Sequence, residues 1–243
     1  MGVAGIWLLS VGAADVMAAL SGRPARNLRA ALGWVTASLT SGAVALASGL
    51  GPGPAGLLMA ITGATVAPWI WSRIPTMTPR RATVVAWAFA AALALIVATG
   101  PAWPALNDGP LVRWLSRSPV PAIADAGIDR ALVIAGIFAF LLATSNGLVR
   151  LILAAVGTDT ESGEQKLRGG RIIGPLERCL LFGFGLAGQP TAAALVASAK
   201  SLLRFPEISS ARGVGIDLVT EYFLVGSLTS WTLALAPLAL VPG

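Results

Sequence analysis

The run GVAGIWLLSVGAADVMAAL, residues 2–20, holds a single ionisable side chain, Asp15. A helix needs about 20 predominantly apolar residues to cross the hydrocarbon core of a bilayer. This run has that length, and comparable blocks recur along the whole chain. Nothing else in the sequence narrows the choice of fold as much. Composition agrees: 56% of the 243 residues are hydrophobic and 12% are charged, with a mean hydropathy of +0.78. A soluble domain carries about a quarter charged residues. The reading is an all-α, polytopic transmembrane helix bundle forming one integral membrane domain over residues 1–243.

Eight spans are expected. The first four are Gly2–Leu20, Leu28–Leu50, Ala55–Trp71 and Ala82–Thr99. The second turns into the third through GLGPGP, where glycine and proline mark a tight hairpin. Residues 100–130 form the longest less apolar segment, an extracytoplasmic loop in which GPLVRWLSRS reads as a short interfacial helix with Trp114 at headgroup level. The remaining spans are Ala131–Val156, Ile172–Gly188, Thr191–Phe205 and about Val219–Val241. The seventh is short or re-entrant: roughly 15 residues give about 22 Å of helix, and Pro206 is expected to end it. Stretches such as GWVTASLTSGAVALASG are rich in small residues, which lets helices approach closely. The eight tryptophans, the Trp69 and Trp71 pair among them, read as an interface belt.

Orientation follows from lysine and arginine. With the N-terminus outside, fourteen of the 17 basic residues lie in or beside cytoplasmic loops, and only Arg113, Arg117 and Arg130 lie outside. The expected location is a bacterial inner membrane with both termini facing outward. The net charge of +6 therefore reflects topology; no basic stripe with interleaved aromatics suggests nucleic acid. A lone Cys179 leaves no internal disulfide, and the lack of histidine removes the commonest general base and metal ligand. No cofactor or metal is expected.

The last third gathers ionisable residues on one side. Arg171 stands among Gly169, Gly170 and Gly174; Glu177 and Arg178 follow two turns on; Lys200 and Arg204 lie one turn apart; Glu207 and Glu221 come next. Charge inside a membrane helix is costly and faces the bundle interior or a cavity. Lys200 is expected to point inward to Glu177 or Glu221, with Arg204 at the inner interface. Asp15 is a second intramembrane charge, facing solvent or another helix, and Ser145 and Asn146 suit interhelical hydrogen bonds.

The stretches GGRIIGPLER, AKSLLRFPEI and EYFLVGSLTSW resemble the closing motifs of bacterial multi-span membrane proteins grouped as a domain of unknown function. The resemblance covers roughly the last 75 residues. Members of that group open on a helix containing histidine and aspartate; this chain offers only Asp15 in SVGAADVM. The resemblance marks Arg171, Glu177, Arg178, Lys200, Arg204, Glu207 and Glu221 as motif positions and implies no activity for them.

Three functions fit these residues. The first is a non-enzymatic protein that binds or moves an anionic ligand, such as a lipid phosphate. Free N–H groups at Gly169 and Gly170 and the helix dipole would favour an anion, with Lys200 and Arg204 as further donors. The second is an accessory subunit whose charges only fix its fold, packed against another membrane protein or a second copy of itself. The third is a membrane-embedded lipid-phosphate enzyme in which Glu177, Glu207 and Glu221 hold Mg²⁺ or act as acid and base. No Asp-rich pair and no activated serine or cysteine identifies catalytic residues.

Overall fold

The computed structural model describes residues 1–21, 26–71, 78–156, 170–210 and 216–242. Helix accounts for 86% of the structure, and no strand occurs among the described residues. The long helices are α1 (Gly2–Leu20), α2 (Arg26–Ala47), α3 (Pro52–Trp71) and α4 (Pro79–Ala98). Two short helices follow, α5 (Pro110–Ser116) and α6 (Pro121–Ala124). Next come α7 (Gly127–Ala139), a π turn at Phe140–Thr144, and α8 (Ser145–Val156). The chain closes with α9 (Gly170–Leu186), α10 (Pro190–Ser210) and α11 (Ile216–Leu235). Six of the described helical stretches are long and apolar enough to cross a membrane: Gly2–Leu20, Asn27–Ala47, Pro52–Ile70, Pro79–Ala98, Gly127–Val156 and Phe223–Leu240. This is the build of a membrane protein.

The hairpins of α2–α3 and α9–α10 end their first helix in the same way. Gly49 adopts φ 94° and Gly188 φ 68°, a left-handed conformation that glycine enters without a Cβ penalty. Leu50 N–H donates to Ala45 O at 3.0 Å and Gly49 N–H to Leu46 O at 3.1 Å; Gln189 N–H donates to Phe184 O at 2.8 Å and Gly188 N–H to Gly185 O at 3.1 Å. Both pairs form the Schellman pattern, which satisfies carbonyls that a helix end would otherwise orphan.

One expectation needs correction here. Pro206 does not end α10, which runs on to Ser210 for 21 residues, about 31 Å at 1.5 Å per residue. A proline inside a helix removes its own N–H and crowds the carbonyl four residues earlier, yet the helix can resume beyond it. The helix that carries the seventh apolar stretch is therefore longer than that stretch and is not ended at Pro206.

The chain divides into two compact units: residues 1–75, 85–144 and 240–243, and residues 76–84 and 145–239. In the first, α1 is the central element, packed by α2 and α7, with α3 against α2. Small residues permit the crossing of α1 and α7. A Cβ on Gly5 would overlap the backbone of Leu132 and Val133, and one on Gly12 would stand 2.8 Å from the Ala139 Cβ. Phe89 lies 5.2 Å from Trp7, 5.1 Å from Trp69 and 6.0 Å from Phe140 between ring centroids, an aromatic centre for this unit. Trp7 and Trp69 are buried at 0% and 2% exposure, so the interface-belt expectation is corrected for both. Their indoles have interior acceptors: Trp7 donates to Thr65 Oγ1 at 2.8 Å and Trp69 to Asp15. By contrast, Trp34, Trp87 and Trp114 are exposed.

The Asp129 carboxylate accepts the N–H of Gly2 at 2.5 Å, satisfying an open donor at the start of α1. Arg130 donates to the carbonyl of Pro242 at 3.0 Å. The starts of α1 and α7 and residue 242 therefore share one end of this unit.

In the second unit α9 packs on α10, α11 and α8, and α8 packs on α11. Its apolar core is Leu181, Ala193 and Ala234 with Phe184, Val196 and Trp231 against them. On the outside of α9, Ile173, Leu176 and Leu180 are 62%, 52% and 51% exposed. They recur at helical spacing, which makes an apolar stripe suited to lipid.

Candidate functional site: a buried charge cluster in the second unit

Pro175 is buried and lies within the early part of α9. Two turns beyond the start of α9, consecutive residues Glu177 and Arg178 both turn inward, at 7% and 2% exposure. Gly174 lies one turn before Arg178. A Cβ there would come within 3.4 Å of Asn146 Oδ1 and 3.5 Å of the Arg178 guanidinium. Both are ordinary contact distances, so position 174 lies directly beside the arginine head and its acceptor on α8.

Glu177 has both carboxylate oxygens engaged. Oε2 lies 2.6 Å from Lys200 Nζ, and Oε1 accepts the Trp231 indole N–H at 3.2 Å. These contacts link α9 to α10 and to α11. Lys200 is the outer member of the pair, with 24% of its side chain exposed. A lysine in this position keeps its stem along apolar surface while its head finds a partner.

Arg178 is held by neutral groups. It donates through NH1 to Ser230 Oγ at 3.0 Å on α11 and through NH2 to Asn146 Oδ1 on α8. Its Nε has no hydrogen-bond partner among the described residues. The oxygens of its chain neighbour Glu177 already serve Lys200 and Trp231. The described charged groups of the cluster are one carboxylate, Glu177, and two cations, Arg178 and Lys200. Burying an arginine on neutral acceptors is expensive, because dipoles replace the lost hydration only in part.

The structure brings together Glu177, Arg178 and Lys200 among the expected site residues. Gly169 lies outside the described residues. Gly170 opens α9, and Arg171, Arg204, Glu207 and Glu221 lie in helices with side chains outside the described set. The inward pairing of Lys200 with Glu177 is as expected. Asn146 makes the interhelical bond its place suggested. Ser230 and Trp231 were not singled out from the sequence. Their signal was present, since a hydroxyl and an indole in an apolar helix both need partners.

A second buried charge lies in the first unit. Asp15 is 3% exposed, and the Trp69 indole donates to its oxygens at 3.3 and 3.2 Å. The alternative in which Asp15 faces another helix is the one observed. No group of three or more His, Cys, Asp or Glu able to hold a metal occurs among the described residues.

Comparison with family models, with curated proteins and with solved structures finds no match.

Proposed function

We propose that this is a multi-pass membrane protein that binds the phosphate of an anionic ligand at the Glu177–Arg178–Lys200 cluster, without catalysing a reaction. The single observation that carries the reading is Arg178, buried at 2% exposure and held by neutral acceptors among the described residues. An anion beside Lys200 would give the two cations, Arg178 and Lys200, a second negative partner besides Glu177. Arginine and lysine are the side chains that hold phosphate, as planar fork and point charge. The one-quarter exposure of Lys200 gives such a ligand an approach. Engagement of both Glu177 oxygens by donors argues against that residue as a metal ligand.

Eight crossings fit this reading. Residue 242 shares an end of the first unit with the start of α7, which favours α9 and α10 crossing together. The 21-residue length of α10 supports the same count. The excess of arginine and lysine beside four alternate loops supports a bacterial inner membrane and an outward N-terminus. The likeness of the last third to the family of unknown function is part of this proposal and adds no activity to it.

A purely structural cluster is the second reading. It is favoured by the way Glu177 and Arg178 together tie α9 to α8, α10 and α11. Native mass spectrometry of the gently solubilised protein separates the two. Wild type is compared with Lys200→Ala/Arg204→Ala and with Arg178→Gln, and folding is followed by thermal melts. A phosphate-bearing adduct kept by wild type and lost by folded variants supports the ligand site. A bare wild-type chain, or the same adducts in every variant, sinks it.

A further inference from the structure

The first unit carries a basic surface that the cluster above does not use. Helix α5 presents Arg113 and Trp114, with Arg117 at its C-cap, around an open groove of about 320 Å³, completed by Pro110, Ser118 and Pro119. That volume is at the lower end of the roughly 300–1,000 Å³ of ligand clefts.

Placement gives the groove its meaning. Gly109, which precedes α5, presses on the end of α2: a Cβ there would overlap the Ala47 carbonyl and the Gly49 nitrogen. Gly49 is itself the left-handed residue that closes α2. Helix α5 therefore starts where the apolar α2–α3 hairpin turns, at the depth where two candidate spans end. Leu115 is buried at 6% exposure and anchors the helix inward, while Trp114 on the outer side is 66% exposed. An exposed tryptophan at the end of apolar spans is the side chain that settles at headgroup depth.

The two arginines stand four residues apart, a separation that places helical side chains on one face. Arg113 donates to the Asp108 carbonyl at 3.0 Å, which steadies one edge of its guanidinium. Among the described residues neither Arg113 nor Arg117 forms an ion pair with a carboxylate. Two guanidinium groups beside an indole thus face outward with their charge uncompensated.

We propose that the Arg113–Trp114–Arg117 groove holds the phosphodiester headgroup of an anionic phospholipid. Its arginines fork to the phosphate, and Trp114 packs on the glycerol and upper acyl chain. This site is separate from the cluster on α9 and stands whether or not that cluster binds a ligand.

The test is native mass spectrometry of the full chain in neutral detergent, titrated with dioctanoyl phosphatidylglycerol or dioctanoyl phosphatidylcholine. Wild type should retain one phosphatidylglycerol in preference to phosphatidylcholine. Affinity for it should fall about fivefold for Arg113→Gln or Arg117→Gln alone and about 25-fold for both. Equal retention of both lipids, unchanged affinity in the double variant, or displacement by millimolar inorganic phosphate would overturn the proposal. Hydrogen exchange of wild-type residues 110–118 in nanodiscs gives a reading that needs no variant. Protection in phosphatidylglycerol and not in phosphatidylcholine supports the site, whereas equal exchange in both rejects it.

Discussion

Each unit buries a carboxylate beneath a tryptophan, and the two pairs are set in different surroundings. In the first unit Trp69 donates to both oxygens of Asp15, beside the Trp7, Phe89 and Phe140 rings. In the second, Trp231 donates to one oxygen of Glu177 while Lys200 takes the other, and Arg178 follows in the chain. The first unit owes its order to close backbone approach through Gly5 and Gly12, so its charge is an insertion into a packed interior. In the second unit polar side chains join α9 to α8, α10 and α11 beside an apolar cluster around Leu181. Packing without a hydrophobic drive between helices relies on such close contacts and hydrogen bonds. The comparison separates a unit held by shape from one held by charge.

The sharpest way to break it is to attack each unit by its own principle. Gly5→Leu should abolish folding of the first unit, because the side chain would have to occupy the backbone of Leu132 and Val133. Loss of the monodisperse peak on size-exclusion chromatography would show it. A well-behaved Gly5→Leu protein would mean that α1 and α7 do not cross as described. In the second unit, Glu177→Gln removes the one carboxylate that faces Lys200 and Trp231 among the described residues. Stranding a fully buried cation costs about 3–5 kcal/mol; Lys200 is 24% exposed, so the loss should fall below that range, readable as a shifted unfolding midpoint in mixed micelles. Adding Lys200→Met to Glu177→Gln should recover part of that loss, since the pair leaves together and no cation is stranded at position 200. If the double variant is as unstable as the sum of the singles, the ion pair does not hold the unit.

Much of this contrast was legible in the sequence, and the illegible part has a common cause. Helix α1 appears with the bounds its apolar run predicts, Gly2–Leu20, because the length of an unbroken apolar run is itself the signal. The inward turn of Lys200 to Glu177 followed from the cost of charge in such a helix. Arg178 was named as a site residue, yet its acceptors Asn146 and Ser230 come from α8 and α11. Neutral partners on other helices leave no spacing to read. Trp69 was misplaced for the same reason: its amphipathic ring suits an interface equally well until Asp15 is known to lie beside it. Pro206 misled differently. Local rules for proline describe an isolated helix, whereas α10 continues past it.

The finest discrimination comes from the two indoles. Trp69→Phe and Trp231→Phe each delete one donor to a buried carboxylate and keep an aromatic ring in place. A hydrogen bond to a charged group contributes about 1.5–3 kcal/mol. Trp69 is 2% exposed and serves both Asp15 oxygens, so its replacement should fall at the upper end of that range. Trp231 is only partly buried, and Glu177 keeps Lys200 when the indole N–H is gone. Its replacement should cost about 1 kcal/mol less than that of Trp69. Unfolding midpoints of the two variants against wild type in one detergent give the comparison directly. Equal losses would mean that the two carboxylates depend on their indoles to the same degree. A larger loss for Trp231→Phe would place the more demanding carboxylate in the second unit and reverse the assignment of shape and charge.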